Sequence, residues 1–449
     1  MTEFRSQISA ADLQKLRQKI NELILQEKQP FIHQAMHPSC RVAVLLPAYD
    51  ESVKTLLRPL LSLARQEKAA KEEFEVVVIA NNNKKEALDL SPAYLLNQRV
   101  LEFLRFLEDG KSAGEGKINA PDFTAEENSA IEEIKQSGLR IVIIDKSSAD
   151  LADDINYLAN ARNRACLEIA RRFLDNGRNE NGIVAVTDCD CRVSPNYIRS
   201  IIDTFKEHEF LNGLCGGIEH EIDESLPYYQ AVKRAFDAHV GFTGRLSPAK
   251  KYSGGLALKK FHKINFVPLN TGQDLAVRLR AWFLTGGWPD RPSGEDHHFG
   301  RLVESLPGDI AFTDSYTVYP LTRISERTGL AADGRRVLKI AEAVKNYYEH
   351  KSDRVMIPDR FRQKKLFDAL SKEAFNQTLD KEKVLELFIE HGREPGGLSP
   401  EICGQLAAIM NGEMAKPAGE RDYAKMENFI MENFDGFLPV KDVTSLIRE

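Results

Sequence analysis

From Arg41 onward the chain alternates between two kinds of apolar pattern. Four short stretches, in RVAVLLPAYDES (41–52), FEVVVIANNN (74–83), LRIVIID (139–145) and GIVAVTD (182–188), are apolar at nearly every position rather than at every second one. Strands of that kind are apolar on both faces, the habit of a parallel sheet covered on both sides by helices. Between them, helical spacing predicts a helix in SVKTLLRPLLSLARQ (52–66) and others over Tyr94–Leu107, Glu126–Gln136 and Asp154–Phe173. Strands alternating with helices specify an α/β fold, a three-layer α/β/α arrangement around a mostly parallel sheet.

The flanks read differently. Leu13, Leu16, Ile20, Leu23 and Ile24 keep one helical face apolar after a capping-box-like Ser9 and Asp12, and Pro30 ends that helix. EDGKSAGEGKINAPD (Glu108–Asp122) has three glycines and little to bury, and reads as a surface loop. After about Arg336 strand signals stop and helices follow one another, in VLKIAEAVKNYY, KKLFDALSKEAF, KEKVLELFIEH and PEICGQLAAIM. The expected division is a helical extension over 1–40, a central domain over 41–350 and a helical module over 351–449. The apolar faces of that module must pack on each other, on the central domain or on another copy of the chain in a homo-oligomer.

Composition narrows the function. The chain has 449 residues, 42% hydrophobic and 29% charged, enough for two or three domains with a sizeable core. A formal net charge of −6 gives no polyanion signature and argues against a nucleic-acid partner. No apolar run reaches the length of a transmembrane segment, and the polar N-terminus does not resemble a signal peptide. Six cysteines, mostly amid apolar residues, read as reduced thiols, and the expected location is cytoplasmic.

The chemistry lies where the strands end. In an open α/β sheet, ligands bind outside the carboxyl ends of the strands. Those ends read Pro47-Ala48-Tyr49-Asp50-Glu51, Asn81-Asn82-Asn83, Asp145-Lys146 and Asp188-Cys189-Asp190. In extended chain Asp188 and Asp190 point to one side and Cys189 to the other. Two carboxylates at one rim repel, and a hard divalent cation with oxygen ligands relieves that. Ser194 and Pro195 are expected to cap the next helix, leaving the aspartates for other work. A zinc site from Cys189, Cys191 and Cys215 would lack any paired C-x-x-C spacing.

Six motifs in order, LLPAYDES, LANARNRACLEIA, VAVTDCDC, LNTGQDLAVRLRAWFLTGGW, GEDHHFGRL and YPLTRISERTGLAADG, span Arg41 to Gly334. Together they resemble the inverting, family 2-like glycosyltransferases with the GT-A fold. The resemblance implies a transferase, expected to move a hexosyl group, that takes a nucleotide-diphosphate sugar donor, with Mn2+ or Mg2+ held by Asp188 and Asp190. It implies donor contacts from Pro47, Tyr49, Glu51, Asn81, Arg162, Asp188, Arg323 and Arg327, with Tyr49 beside the base and Glu51 on a ribose hydroxyl. Asn81 stands where many members carry an aspartate, which leaves the nucleobase open. Arg162 suits a diphosphate or the base edge, or is a surface arginine on an amphipathic helix.

An inverting transfer needs a general base to take the acceptor hydroxyl's proton. The resemblance points to Asp296 as that catalytic base, with Glu295 the second candidate, although acids in a first helical turn also complement the helix dipole. Gly287 and Trp288 are expected at the acceptor site, for a saccharide, small-molecule or lipid-linked acceptor. Of His297 and His298 at most one could join the metal, because adjacent helical residues face apart. Two other readings keep the fold: a retaining glycosyltransferase, and a nucleotide-binding regulatory protein without turnover. A nucleotidyltransferase would want a glycine-rich basic loop after the first strand, and PAYDES offers none.

Overall fold

The structure is a computed structural model. It describes residues 32–66, 71–109, 123–154, 158–178, 181–226, 228–235, 255–260, 273–289, 295–322, 356–358, 360–391, 399–416 and 440–442, with isolated positions elsewhere. Of the expected N-terminal helix only Gln14, Gln18 and Glu22 are described, all helical; most of the glycine-rich loop, and Arg323 and Arg327, lie outside the described residues.

The strands are β1 (Val42–Ala48), β2 (Phe74–Asn81), β3 (Ile141–Lys146), β4 (Ile183–Val186), β5 (Arg192–Val193), β6 (Leu211–Ile218), β7 (Glu221–Ile222), β8 (Leu256–Leu258), β9 (Leu275–Arg278), β10 (Asp309–Tyr319), β11 (Leu321–Thr322), β12 (Met356–Pro358) and β13 (Val440–Asp442). The helices are α1 (Val53–Ala64), α2 (Lys84–Leu88), α3 (Pro92–Asp109), α4 (Ala125–Gln136), α5 (Leu158–Asp175), α6 (Tyr197–Glu207), α7 (Leu279–Thr285), α8 (Glu295–Ser305), α9 (Arg360–Phe375), α10 (Lys381–Glu390) and α11 (Pro400–Met414).

The main sheet runs β3-β2-β1-β4-β9-β6-β10-β5, with β8 also paired to β10. Its first four strands are parallel. β9 lies antiparallel between β4 and β6, and β6 pairs parallel with β10. The α/β class and the mostly parallel sheet agree with the expectation. The four expected strands are one half of the sheet; the mixed half was not foreseen.

Alternation along β1 shows why its apolar run is continuous. Val42, Val44 and Leu46 join a core built with α1, α3, α4 and α6, while Ala43 and Leu45 join the opposite core with α5, α7 and α8. Each face of the strand is therefore dry, and polar residues are tolerated only past its end. There Asp50 turns the chain with φ +56°, a left-handed conformation uncommon for a residue with a Cβ.

By internal contacts the chain parts into two compact units, Met1–His220 with Ser247–Pro320, and Glu221–Leu246 with Leu321–Glu449. This partition crosses the expected 41–350 segment at 221 and again at 321. Within the second unit the apolar faces of α9, α10 and α11 pack on one another through Leu370, Val384, Phe388, Leu406 and Met410. Its short pair β7–β11 is parallel and its pair β12–β13 antiparallel. Among the described residues no helix is long and apolar enough to cross a membrane.

Candidate active site

The aspartate pair sits on a tight turn rather than on extended chain. β4 ends at Val186, and the Cys191 amide donates to the Asp188 carbonyl at 3.1 Å. The expected division of faces survives by another geometry. Asp188 and Asp190 are part-exposed, while Cys189 is 2% exposed and its thiol donates to the Pro47 carbonyl at 3.1 Å. That bond ties the turn after β4 to the end of β1. On the other side Arg58 Nε donates to the Asp190 carbonyl at 3.2 Å.

The expected helix cap is corrected. α6 begins at Tyr197 with Asn196 as its N-cap residue and no side-chain cap bond. Ser194 instead accepts from the Thr317 amide at 3.1 Å, bracing the adjacent β5–β10 ladder.

Arg162 is not a surface arginine. It is 1% exposed on α5, with Nη1 donating to Glu295 Oε1 at 2.9 Å and Nη2 lying 3.5 Å from Asp188 Oδ1. One guanidinium therefore joins the end of β4 to the start of α8, with Arg162 itself 133 residues from Glu295 in sequence. Planar, forked and always charged, it suits two acids at once. Glu295 is 7% exposed and Asp296 only part-buried, so the adjacent acids occupy different environments.

Asn163, the next residue, is a hydrogen-bond hub that sequence reasoning passed over. Its Oδ1 accepts from the Trp288 amide at 2.9 Å and from Trp282 Nε1 at 3.1 Å, and its Nδ2 donates to the Trp288 carbonyl at 2.7 Å. Gly287 makes that approach feasible: its φ is +87°, and an added Cβ would lie 2.4 Å from Asn163 Oδ1. Expected at the acceptor site, Trp288 is 2% exposed; its ring stacks on Phe299 with centroids 4.1 Å apart. The signal available in sequence was the second asparagine of LANARNRACLEIA, Asn163, which has no helix-favouring reason to sit inside the helix.

At the β1–β2 end, Asn81 is 6% and Glu51 2% exposed, whereas Tyr49 is part-exposed with its hydroxyl bonded to Glu86 Oε1. Glu86 is also the reciprocal member of the capping box that starts α2 at Asn83. The structure thus gathers Pro47, Arg162, Asp188, Asp190, Glu295, Gly287 and Trp288 around linked segments.

The donor set fits a hard divalent cation. Asp188 and Asp190 offer part-exposed carboxylate oxygens, and such a cation completes its shell with waters and substrate phosphates. No group of three or more His, Cys, Asp or Glu suited to a metal occurs among the described residues. Burial, with the carboxylates of Asp188 and Asp190 alongside, pushes the Cys191 thiol well above its usual range. Burial does the same to Cys215, with Asp274 adding to it. No cluster of such residues among the described ones supports the zinc alternative.

No family model matches the chain, and no curated protein matches it. Among solved structures it is similar to the mannosyltransferase PcManGT from Pyrobaculum calidifontis, in complex with GDP-Man and Mn2+, at 12% identity over 93% of this chain and 84% of that one, with a TM-score of 0.36. It is similar to S. aureus TarS 1–349 at 14% identity over 86% of this chain and 91% of that one, TM-score 0.37. A third similarity, to GalNAc-T7 with UDP, GalNAc and Mn2+, has 12% identity, covers 78% of this chain and 54% of that one, and gives a TM-score of 0.37. With TM-scores below 0.5, these likenesses carry no argument by themselves, and the α/β class rests on the sheet described above.

Proposed function

We propose that the chain is a GT-A glycosyltransferase of the family 2-like kind, which transfers a sugar from a nucleotide-diphosphate donor to an acceptor hydroxyl with inversion. The catalytic segment is proposed as 41–350, between an extension over 1–40 and a module over 351–449. The observation that carries the reading is the Arg162 bridge, which sets the Asp188 turn beside the Glu295–Asp296 helix start. Donor diphosphate and acceptor hydroxyl would need to meet at such a place.

Asp188 and Asp190 would hold Mn2+ or Mg2+, whose charge would offset that of the diphosphate. Pro47, Tyr49, Glu51 and Asn81 form the proposed base and ribose end, and Arg323 and Arg327 the proposed diphosphate contacts. Asp296 takes the acceptor's proton in this reading. The part-exposed position of Asp296, against the 7% exposure of Glu295, supports that choice. Gly287 and Trp288 shape the acceptor side from behind.

The test is titration of nucleotide-diphosphate sugars against the protein with and without Mn2+, followed by transfer assays. Asp188→Ala or Asp190→Ala should reduce Mn2+-dependent nucleotide binding and transfer at least 100-fold while the fold is retained. Asp296→Asn should lower kcat with donor affinity near wild type, since the base acts on the acceptor. Unchanged transfer in EDTA and in both aspartate variants would sink the metal reading. Metal-dependent binding with no transfer to any acceptor would favour the regulatory alternative, and retention of anomeric configuration the retaining one.

A further inference from the structure

Asn97, in the second turn of α3, is completely buried although α3 otherwise lies on the sheet with an apolar face. Its side chain makes three hydrogen bonds to three separate rim positions. Oδ1 accepts from the Asp50 amide at 3.0 Å, and Nδ2 donates to the Asn81 carbonyl and to Asn82 Oδ1, both at 2.9 Å. Asn82 is 1% exposed and passes the connection on: its Oδ1 also accepts from the Ser147 hydroxyl, and its Nδ2 donates to Glu86 Oε2 at 3.2 Å. Glu86 in turn holds the Tyr49 hydroxyl. Gln98, the next residue on α3, donates to Ser147 Oγ at 3.1 Å. The ends of β1, β2 and β3 are therefore tied to one helix by neutral amides and hydroxyls.

Asp50 is the telling partner. Its left-handed backbone is costly for a residue with a side chain, and such a conformation persists only where surroundings over-determine it. The Asn97 carbonyl oxygen on its amide is one such determinant. An apolar residue at this position would take that partner from the Asp50 amide and from the Asn81 and Asn82 oxygens.

We propose that Asn97 is a positioning residue for the base-and-ribose end of the nucleotide site: it fixes the Asp50 turn, and with it Tyr49 and Glu51, at a set spacing from Asn81. This inference rests on the nucleotide-binding reading above. Asn97 touches no ligand in it; the residue acts through backbone groups and through the Asn82–Glu86–Tyr49 relay. A side chain that accepts in one direction and donates in two others is an amide's particular capability, which neither aspartate nor leucine of similar size reproduces.

The experiment is calorimetric titration of UDP, GDP, CDP, ADP and dTDP, each with Mn2+, into wild type, Asn97→Leu and Asn97→Asp, well below the unfolding temperature of each protein. Asn97→Leu removes all three bonds; Asn97→Asp keeps the acceptor facing the Asp50 amide and loses the donors. The best wild-type nucleotide should bind at least tenfold more weakly to Asn97→Leu and by an intermediate factor to Asn97→Asp, with faster hydrogen exchange at the Asp50 amide in Asn97→Leu only. Equal affinity in folded Asn97→Leu and wild type would overturn this inference and leave the proposed function standing. Variants that both lose the fold would mark Asn97 as purely structural and overturn it too. A wild type that binds none of the five with Mn2+ would overturn both readings.

Discussion

Two parts of one rim are held together by different physics. At the ends of β1, β2 and β3 the connections to α3 are neutral, running through Asn97, Asn82, Ser147 and Gln98, with the ion pairs Lys146–Asp153 and Arg105–Asp145 standing beside that network. At the end of β4 they are ionic, with Arg162 between Asp188 and Glu295. Neutral bonds hold a geometry regardless of salt or pH, and cost little when every member is satisfied. A buried guanidinium holds acids that would otherwise repel, and it makes the region dependent on each charge being present. On the proposed function, the first arrangement suits a site that must keep one shape for a base and ribose. The second, on the same proposal, suits a site where charge on a diphosphate and a cation must be accommodated.

The largest effect should come from breaking the ionic part. Arg162→Met leaves Glu295 buried without its cation, and should lower unfolding free energy by about 3–5 kcal/mol in urea titration. Adding Glu295→Gln should recover part of that loss, because the stranded charge is gone. A single-variant loss under about 1 kcal/mol would show that the pair is solvated and the contrast between the two parts false.

Asp274 sharpens the same contrast, as a buried acid with no cation among its described hydrogen-bond partners. It is fully buried, accepting from the Gly216 amide at 2.5 Å and the Tyr316 hydroxyl at 3.2 Å. Burial raises its pKa from 3.8 to about 7, with both hydrogen bonds opposing the rise. Tyr197, Tyr316 and Cys215 face it, and burial with the Asp274 charge raises all three. The folded state thus keeps its proton where the unfolded chain has lost it. Asp274 stability is complete below about pH 4 and declines as pH rises to about 7, after which it is level. Asp274→Asn should flatten that slope and stabilise the protein at pH 8 by on the order of a few kcal/mol. An unchanged pH profile of unfolding would refute the assignment.

The smallest effect is expected at an exposed ion pair beside the neutral network. Arg105 meets Asp145 at 2.9 Å but is 45% exposed, and Asp145 also accepts from the Ser147 and Ser148 amides. Arg105→Ala should cost less than about 1 kcal/mol in the same urea assay. A larger cost would mean that charge matters at both ends of the rim.

The legible parts of the sequence were those whose physics is local. β1 to β4 announced themselves because burial on both faces leaves almost every position inside the strand apolar, the exception in β2 being Glu75, which is buried against Arg172. β9 did not: its four residues, LAVR, run directly into α7, and the whole reads as one helical stretch. Arg278 adds to the disguise, a charged residue 6% exposed whose guanidinium donates to the Leu211 and Phe205 carbonyls. The aspartate pair was visible from its place after an apolar run, yet the Arg162–Glu295 bond was not, because partners 133 residues apart share no local pattern. For the same reason nothing in the periodicity of residues 221–246 foretold their grouping with 321–449.

The place of β9 in the sheet bears on synthesis. β4 emerges from the ribosome with β1 available on one side, while its other neighbour begins at Leu275, 89 residues after Val186 (275 − 186). At translation rates of ~5–20 residues per second, roughly 4–18 s pass before that neighbour exists. Throughout that interval Ile183–Val186 is an apolar edge with unpaired backbone groups, open to another nascent chain. The yield of folded protein then depends on how quickly residues 187–278 are delivered, and not only on the stability of the finished sheet.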